Sequence, residues 1–322
     1  MGFMSNFASG YIKYINHLEQ INDAAISHPE RMIEEVEGSY REHLRNIARN
    51  ITERREPVRV VMLSGPSSSG KTTTAHLLRD YLKGFGVRAV IISMDDFYLG
   101  RGLAPRLPDG SYDYESVAAL DEERIRGCLA SVVNNEAFTV PHYDFNLGRP
   151  NGEDQRYQLA PDELAIVEGI HGLNPVFTRD LPEQSCMKLY VSVKQQIKDV
   201  NGEVISPWDL RLVRRIVRDI QFRGAPAEQT LSMWPQVVEG ENRYIRPYRM
   251  SADYTVNSIH IYEPCVLRTV AIPLLRAIAA DSLYYKKARD LESRLMRFEP
   301  VSPELVPEGS MLREFLGARA QN

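Results

Sequence analysis

Apolar positions along the chain follow two rhythms. Short unbroken runs at Val58 to Leu63, Arg88 to Met94, Leu164 to Val167 and Met187 to Val193 are rich in β-branched and aliphatic residues. They have the length and composition of strands buried on both faces. Elsewhere apolar residues recur three and four apart, as at Ala75, Leu78 and Leu82 and again from about Asp121 to Val133, which predicts helices. A short run at Asp253 to Val256 is a candidate fifth strand. Strands alternating with helices predict an α/β protein, with a parallel sheet covered by helices on both faces.

Two helical stretches lie outside this alternation. Residues 1–56 read as an amphipathic extension, with Met32, Ile33, Val36, Tyr40, Leu44, Ile47 and Ile51 on one face and Pro57 closing the segment. Asp209 to Gly224 carries an apolar stripe of Leu212, Val213, Ile216, Val217 and Ile220. Arg211, Arg214, Arg215 and Arg218 stand at i, i+3, i+4 and i+7, on one helical face. The expected organisation is a helical extension over 1–56, one α/β domain over 57–285, and a C-terminal helix and tail over 286–322 packing on it.

Composition narrows the class. Of 322 residues, 43% are apolar, ample for a core, and the net charge of −4 gives no general attraction to nucleic acid or anionic membrane. Cys128, Cys186 and Cys265 are too far apart for a C-x-x-C pair and read as buried thiols in a reducing compartment. There is no apolar leader and no stretch of membrane-span length, and Asn6 stands where a myristoylation signal at Gly2 needs Ser or Thr. A cytoplasmic protein is expected, with no nucleic-acid or membrane partner; a homo-oligomer is left open.

The chemistry enters at the first strand–helix junction. Gly65 to Thr72 fits G-x-x-x-x-G-K-[ST], with a strand before it and a helix after, the context in which this pattern cradles phosphates. The fold is thus expected to be of the P-loop NTPase type. Gly65, Ser67, Ser68, Ser69, Gly70, Lys71, Thr72 and Thr73 form the candidate nucleotide cradle. Lys71 reaches the β- and γ-phosphates and Thr72 ligates Mg²⁺. Asp95 and Asp96 follow the second strand, and Glu168 ends the third like a Walker B acid. Several guanidinium forks beside such a loop suit a helical lid over a migrating phosphoryl group.

Six motifs in order resemble the uridine kinase and phosphoribulokinase family of P-loop kinases: Gly65 to Thr72, Met94 to Tyr98, Tyr112-Asp113, Pro141 to Phe145, Val167 to Gly169 and Arg211 to Arg218. Gly169 to Pro175, Ser232 to Pro235 and Met311 to Gly317 resemble the bacterial and plant uridine-kinase-like branch. The resemblance implies ATP (or GTP) as donor, Mg²⁺, and transfer to the 5′-hydroxyl of a nucleoside, uridine or cytidine. It makes Asp95 the proton acceptor near Mg²⁺, Glu168 the metal-associated acid and Asp113 the ribose clamp. Tyr143 becomes an aromatic beside the base, with Tyr98 also in the substrate site. Arg211, Arg214 and Arg218 become lid or substrate contacts and Gln229 a polar substrate contact, with Lys71, Asp95, Arg214 and Arg218 as the catalytic set. One departure stands out: Gly148 occupies the place of a base-reading histidine. A kinase of another small hydroxylated acceptor, such as a sugar phosphate or a pantothenate-like alcohol, and a nucleotide-dependent switch are the alternatives.

Overall fold

The computed structural model describes residues 16–54, 58–144 and 147–318. Pro57, Phe145, Gly2, Asn6 and the rest of residues 1–15 lie outside these, as do residues 319–322. Five strands, β1 (Val60–Ser64), β2 (Ala89–Ser93), β3 (Leu164–Glu168), β4 (Cys186–Ser192) and β5 (Tyr254–Asn257), form one parallel sheet in the order β5-β4-β1-β3-β2. The period-2 alternation of each strand supplies both faces. Val61 and Leu63 join one hydrophobic cluster, whereas Val60 and Met62 join the cluster on the opposite side with Ile125, Leu129 and Val132 of α4 (Glu122–Asn134).

The larger cluster is built from the helices over the other face. It runs from α1 (Leu18–Ser27) and α2 (Pro29–Thr52) through α3 (Lys71–Gly84), α5 (Pro207–Arg223), α6 (Ala227–Gly240), α7 (Glu263–Arg276) and α8 (Tyr285–Leu295) to Phe315 in α9 (Arg313–Leu316). The apolar stripe of α2 buries Met32, Ile33, Tyr40, Leu44, Ile47 and Ile51, while Val36 is half-buried at its edge. Residues from the extension, the sheet domain and the C-terminal segment therefore share one core. At the buried heart of this face, Tyr262 donates to Glu37 Oε1 at 2.6 Å, and Tyr40 Oη and Thr74 Oγ1 lie 2.6 Å apart. The extension reaches the helix of the phosphate loop itself. No helix among the described residues is long and apolar enough to cross a membrane.

Between β4 and α5 lies a hairpin absent from the sequence reading. Ile197–Asp199 pairs antiparallel with Gly202–Ile205, and Asn16–His17 adds in parallel. Val200 and Asn201 make its turn, and Gly202, at φ 126, opens the return strand.

Candidate active site

The loop after β1 owes its shape to close approaches. A Cβ at Gly65 would lie 2.1 Å from the carbonyl oxygen of Val191 in β4, so only glycine lets the chain pass. Ser68 (φ 59) and Gly70 (φ 87) take the left-handed conformation, after which Lys71 opens α3. The turn aims the N-terminus of α3, with its unpaired N–H groups and partial positive charge, at the crevice between β1 and β3. Lys71 Nζ curls back to donate to the Pro66 carbonyl at 3.3 Å. The Ser68 and Ser69 hydroxyls are buried with no hydrogen-bond partner among the described residues.

The acids gather at the carboxyl ends of β2 and β3. Glu168 is buried, and its Oε1 accepts from Thr72 Oγ1 at 3.2 Å and from Ser93 Oγ at 3.4 Å. Burial pushes its carboxyl up to about 7, with Lys71 pulling the other way. Asp95 sits on the 3₁₀ turn Met94–Phe97, its backbone N–H donating to Ser93 Oγ at 3.3 Å. Its side chain is open to solvent but crowded by protein, which raises its carboxyl. Lys71, Arg223 and Arg218 oppose that shift, while Asp96 reinforces it. Asp96 points elsewhere: its Oδ1 accepts from Tyr143 N at 3.1 Å and lies 3.3 Å from His142 Nδ1. Thr72, Asp95 and Glu168 are hard oxygen donors beside the loop. Two carboxylates and a hydroxyl suit Mg²⁺, which takes one or two carboxylates and completes its shell with phosphates and water.

The arginine helix differs from a phosphate-facing lid. Arg214 is completely buried, with Nε and Nη2 on the Glu263 carboxylate at 2.5 and 2.7 Å, Nη1 on the Ser68 carbonyl at 3.1 Å and Nη2 also on the Ser258 carbonyl at 2.8 Å. Arg211 is likewise buried, bonded to Glu241 at 2.7 Å and to the Ser67 carbonyl at 3.2 Å. Both bond carbonyls of the loop, where the sequence reading had put Arg214 on the migrating phosphoryl group and Arg211 on the substrate. The Arg214 guanidinium is ringed by the Glu263 carboxylate and the Ser68 and Ser258 carbonyls. The reason is geometric: four arginines on one face fan out, and the first of them meet neighbouring helices. Arg215 donates to Ser67 Oγ at 2.9 Å. Arg218, partly exposed, and Arg223, exposed, are the ones whose charge reaches Asp95; Asp219 holds both, at 3.2 and 3.3 Å. The sequence reading gave Arg223 no role, although its place in the same run was the available signal.

Across the cleft, Asp113 is buried, its Oδ2 accepting from Tyr244 Oη at 2.8 Å and its Oδ1 from Glu115 N at 3.2 Å. Tyr98 and Tyr143 lie ring to ring with centroids 5.8 Å apart, and Tyr98 Oη donates to the Tyr114 carbonyl at 3.0 Å. Gln229 is exposed in the first turn of α6, whereas Gln236 of the same helix donates to the Tyr112 carbonyl at 3.2 Å. Two residues without an assigned role also line this side. Glu115 packs against Gly240, where an added Cβ would meet its own Cβ at 2.4 Å. His171 is buried edge-on to Tyr244, 6.1 Å between centroids, and burial pushes its pKa down to about 4, so it is neutral at pH 7. Gly148 has φ 66, and a Cβ there would fall 2.3 Å from Arg101 Cδ. The Arg101 side chain fills the space that a larger residue at 148 would need.

Burial also pushes Glu115 up to about 7 from 4.5. The folded protein then holds protons that the unfolded chain releases. This contribution to stability is full below about 4.5 and is lost as pH climbs through about 7. The melting temperature of the ligand-free protein is expected to carry a downward component over that window, and Glu115→Gln is expected to weaken it. An unchanged pH slope in that variant would contradict the assignment.

A profile of the Phosphoribulokinase / Uridine kinase family matches residues 60–263. A uridine kinase of Bacillus pumilus (strain SAFR-032) is 28% identical over 204 residues, covering 63% of this chain and 87% of that protein. One of Macrococcus caseolyticus (strain JCSC5402) is 28% identical over 198 residues, covering 61% and 86%. The solved phosphoribulokinase from Rhodobacter spheroides aligns at 19% identity and a TM-score of 0.43, covering 61% of this chain and 68% of that one. With the family profile spanning the loop, both acids, the arginine helix and Asp113, the chain belongs to the phosphoribulokinase/uridine kinase family.

Proposed function

We propose that this chain transfers the γ-phosphate of ATP to the 5′-hydroxyl of a nucleoside, with a pyrimidine ribonucleoside as the leading acceptor. The observation that carries this is the acid held against the phosphate loop: Glu168 Oε1 accepts from Thr72 Oγ1 at 3.2 Å, at the end of the strand beside that loop. The loop from Gly65 to Thr73 would hold the triphosphate, with Lys71 on its β- and γ-phosphates. Thr72, Glu168 and Asp95 would hold Mg²⁺, which neutralises charge on the phosphates. Asp95 would accept the proton of the attacking hydroxyl, and Asp113, oriented by Tyr244, would accept hydrogen bonds from the ribose hydroxyls. Arg218 and Arg223 would meet charge that builds on the migrating group. The relatives named uridine kinase support the nucleoside acceptor.

Gly148, at the place of a base-reading histidine, keeps a second acceptor class in view, a small hydroxylated compound such as a sugar phosphate or a pantothenate-like alcohol. A slow nucleotide-dependent switch has less support, because a switch needs a positioned water and no carboxylate clamp for a sugar. A coupled ADP-release assay across uridine, cytidine, sugar phosphates, pantothenate and no acceptor separates these. Release that depends on uridine or cytidine is the expected result. Release only with an anionic alcohol would move the acceptor class, and acceptor-independent release alone would favour the switch.

A further inference from the structure

The segment from Ser310 to Gly317 lies against the phosphate loop, and its one acidic side chain reaches the start of α3. Glu314 Oε2 accepts from the backbone N–H of Thr73 at 3.2 Å and from Thr73 Oγ1 at 2.9 Å. Met311 covers Gly70, whose missing Cβ would be 2.8 Å from the Met311 Cγ and Sδ. Phe315 packs under the Arg214 guanidinium, 5.2 Å from the ring centroid, and Ser310 Oγ lies 3.2 Å from Tyr262 Oη. Met311, Leu312 and Phe315 are fully buried, so the backbone of the segment is anchored. Glu314 is only half-buried and extends from that anchor toward the loop.

A backbone N–H and a hydroxyl at a helix N-terminus are anion donors, and in a phosphate loop they serve the nucleotide. Here a carboxylate of this same chain holds them. We propose that Glu314 is a built-in competitor of the nucleotide phosphates: it occupies Thr73 in the ligand-free protein and must swing away when a triphosphate binds. The proposal rests on the phosphate-loop reading above and adds a control on donor affinity. The anchored backbone confines the movement to the Glu314 side chain, while the loop stays braced by Arg211 and Arg214.

The test is the dissociation constant of ATP, and of inorganic pyrophosphate as a probe without the nucleoside, measured by calorimetry on the full chain. Glu314→Gln keeps the size and the acceptor oxygen but removes the charge. It is expected to bind both probes about 3- to 30-fold more tightly than the wild type, the scale of one charge at a helix terminus. Glu314→Asp pulls the carboxylate back by one methylene and is expected to fall between. Glu304→Gln removes a charge from an exposed site in the same region and is expected to match the wild type. Equal or weaker ATP binding by both Glu314 variants, with melting temperatures near that of the wild type, would overturn the competitor role and leave the kinase assignment standing. Failure of wild type and variants alike to bind either probe would remove the phosphate-loop reading and this proposal with it.

Discussion

Asp95→Asn is expected to lower turnover by about 10²–10⁴-fold while ATP still binds with near wild-type affinity. The expectation rests on what surrounds this carboxylate. It leaves the carboxyl end of β2, opens into the cleft, and has Lys71, Arg218 and Arg223 as its cationic neighbours. An amide of the same shape keeps the turn, because the backbone N–H of residue 95 still donates to Ser93 Oγ. It does not keep a base. A hydroxyl attacking phosphorus needs a proton acceptor within hydrogen-bond reach, and Asp96 cannot substitute while it holds Tyr143 N. Initial rates with the best acceptor, alongside ATP titration, give both halves of the result. A variant that turns over within a factor of about three of the wild type would remove Asp95 as the acceptor of the proton.

Arg214→Met is expected to cost about 3–5 kcal/mol of folding stability, the scale for removing one partner of a buried ion pair. Nothing at the site of this arginine is exposed, and neither is Glu263, which would be left charged and unpaired. The carbonyls of Ser68 and Ser258 would lose their donor at the same time. Because the phosphate loop hangs on one of those bonds, ATP affinity should fall with stability. The double variant Arg214→Met/Glu263→Gln should lose less than the two single changes added together, since the stranded charge is gone. Urea unfolding of the four proteins measures this. Stability within about 1 kcal/mol of the wild type in Arg214→Met, with turnover alone reduced, would return Arg214 to the phosphoryl group.

The elements differ in how openly they were written in the chain. β1, β2, β3 and α3 were legible to within two residues, because each carries its own period and its own stop signal. The loop from Gly65 to Thr72 was legible for a stricter reason: a backbone passing 2.1 Å from where a Cβ would sit admits only glycine. Glu115 and His171 were not legible. Nothing local distinguishes a glutamate that faces solvent from one that Gly240 lets into a cleft. The arginine run was legible as a face, but what each guanidinium meets, Glu241 for Arg211 and Glu263 for Arg214, was not, since periodicity gives a direction around the helix axis and says nothing of what stands there.

What the sequence by itself determined was the periodic and the obligatory: alternating strands and helices, a glycine-bound phosphate loop, acids at strand ends, and with them the family. Those features follow from local sterics and from patterns within one element. The tertiary structure alone decided the partners. It placed Glu263 against Arg214 across 49 residues of chain, Tyr244 against Asp113 across 131, and Glu314 against Thr73 across 241. Such pairings depend on where separate elements come to rest, and burial then multiplies the worth of each charge because the surroundings no longer screen it.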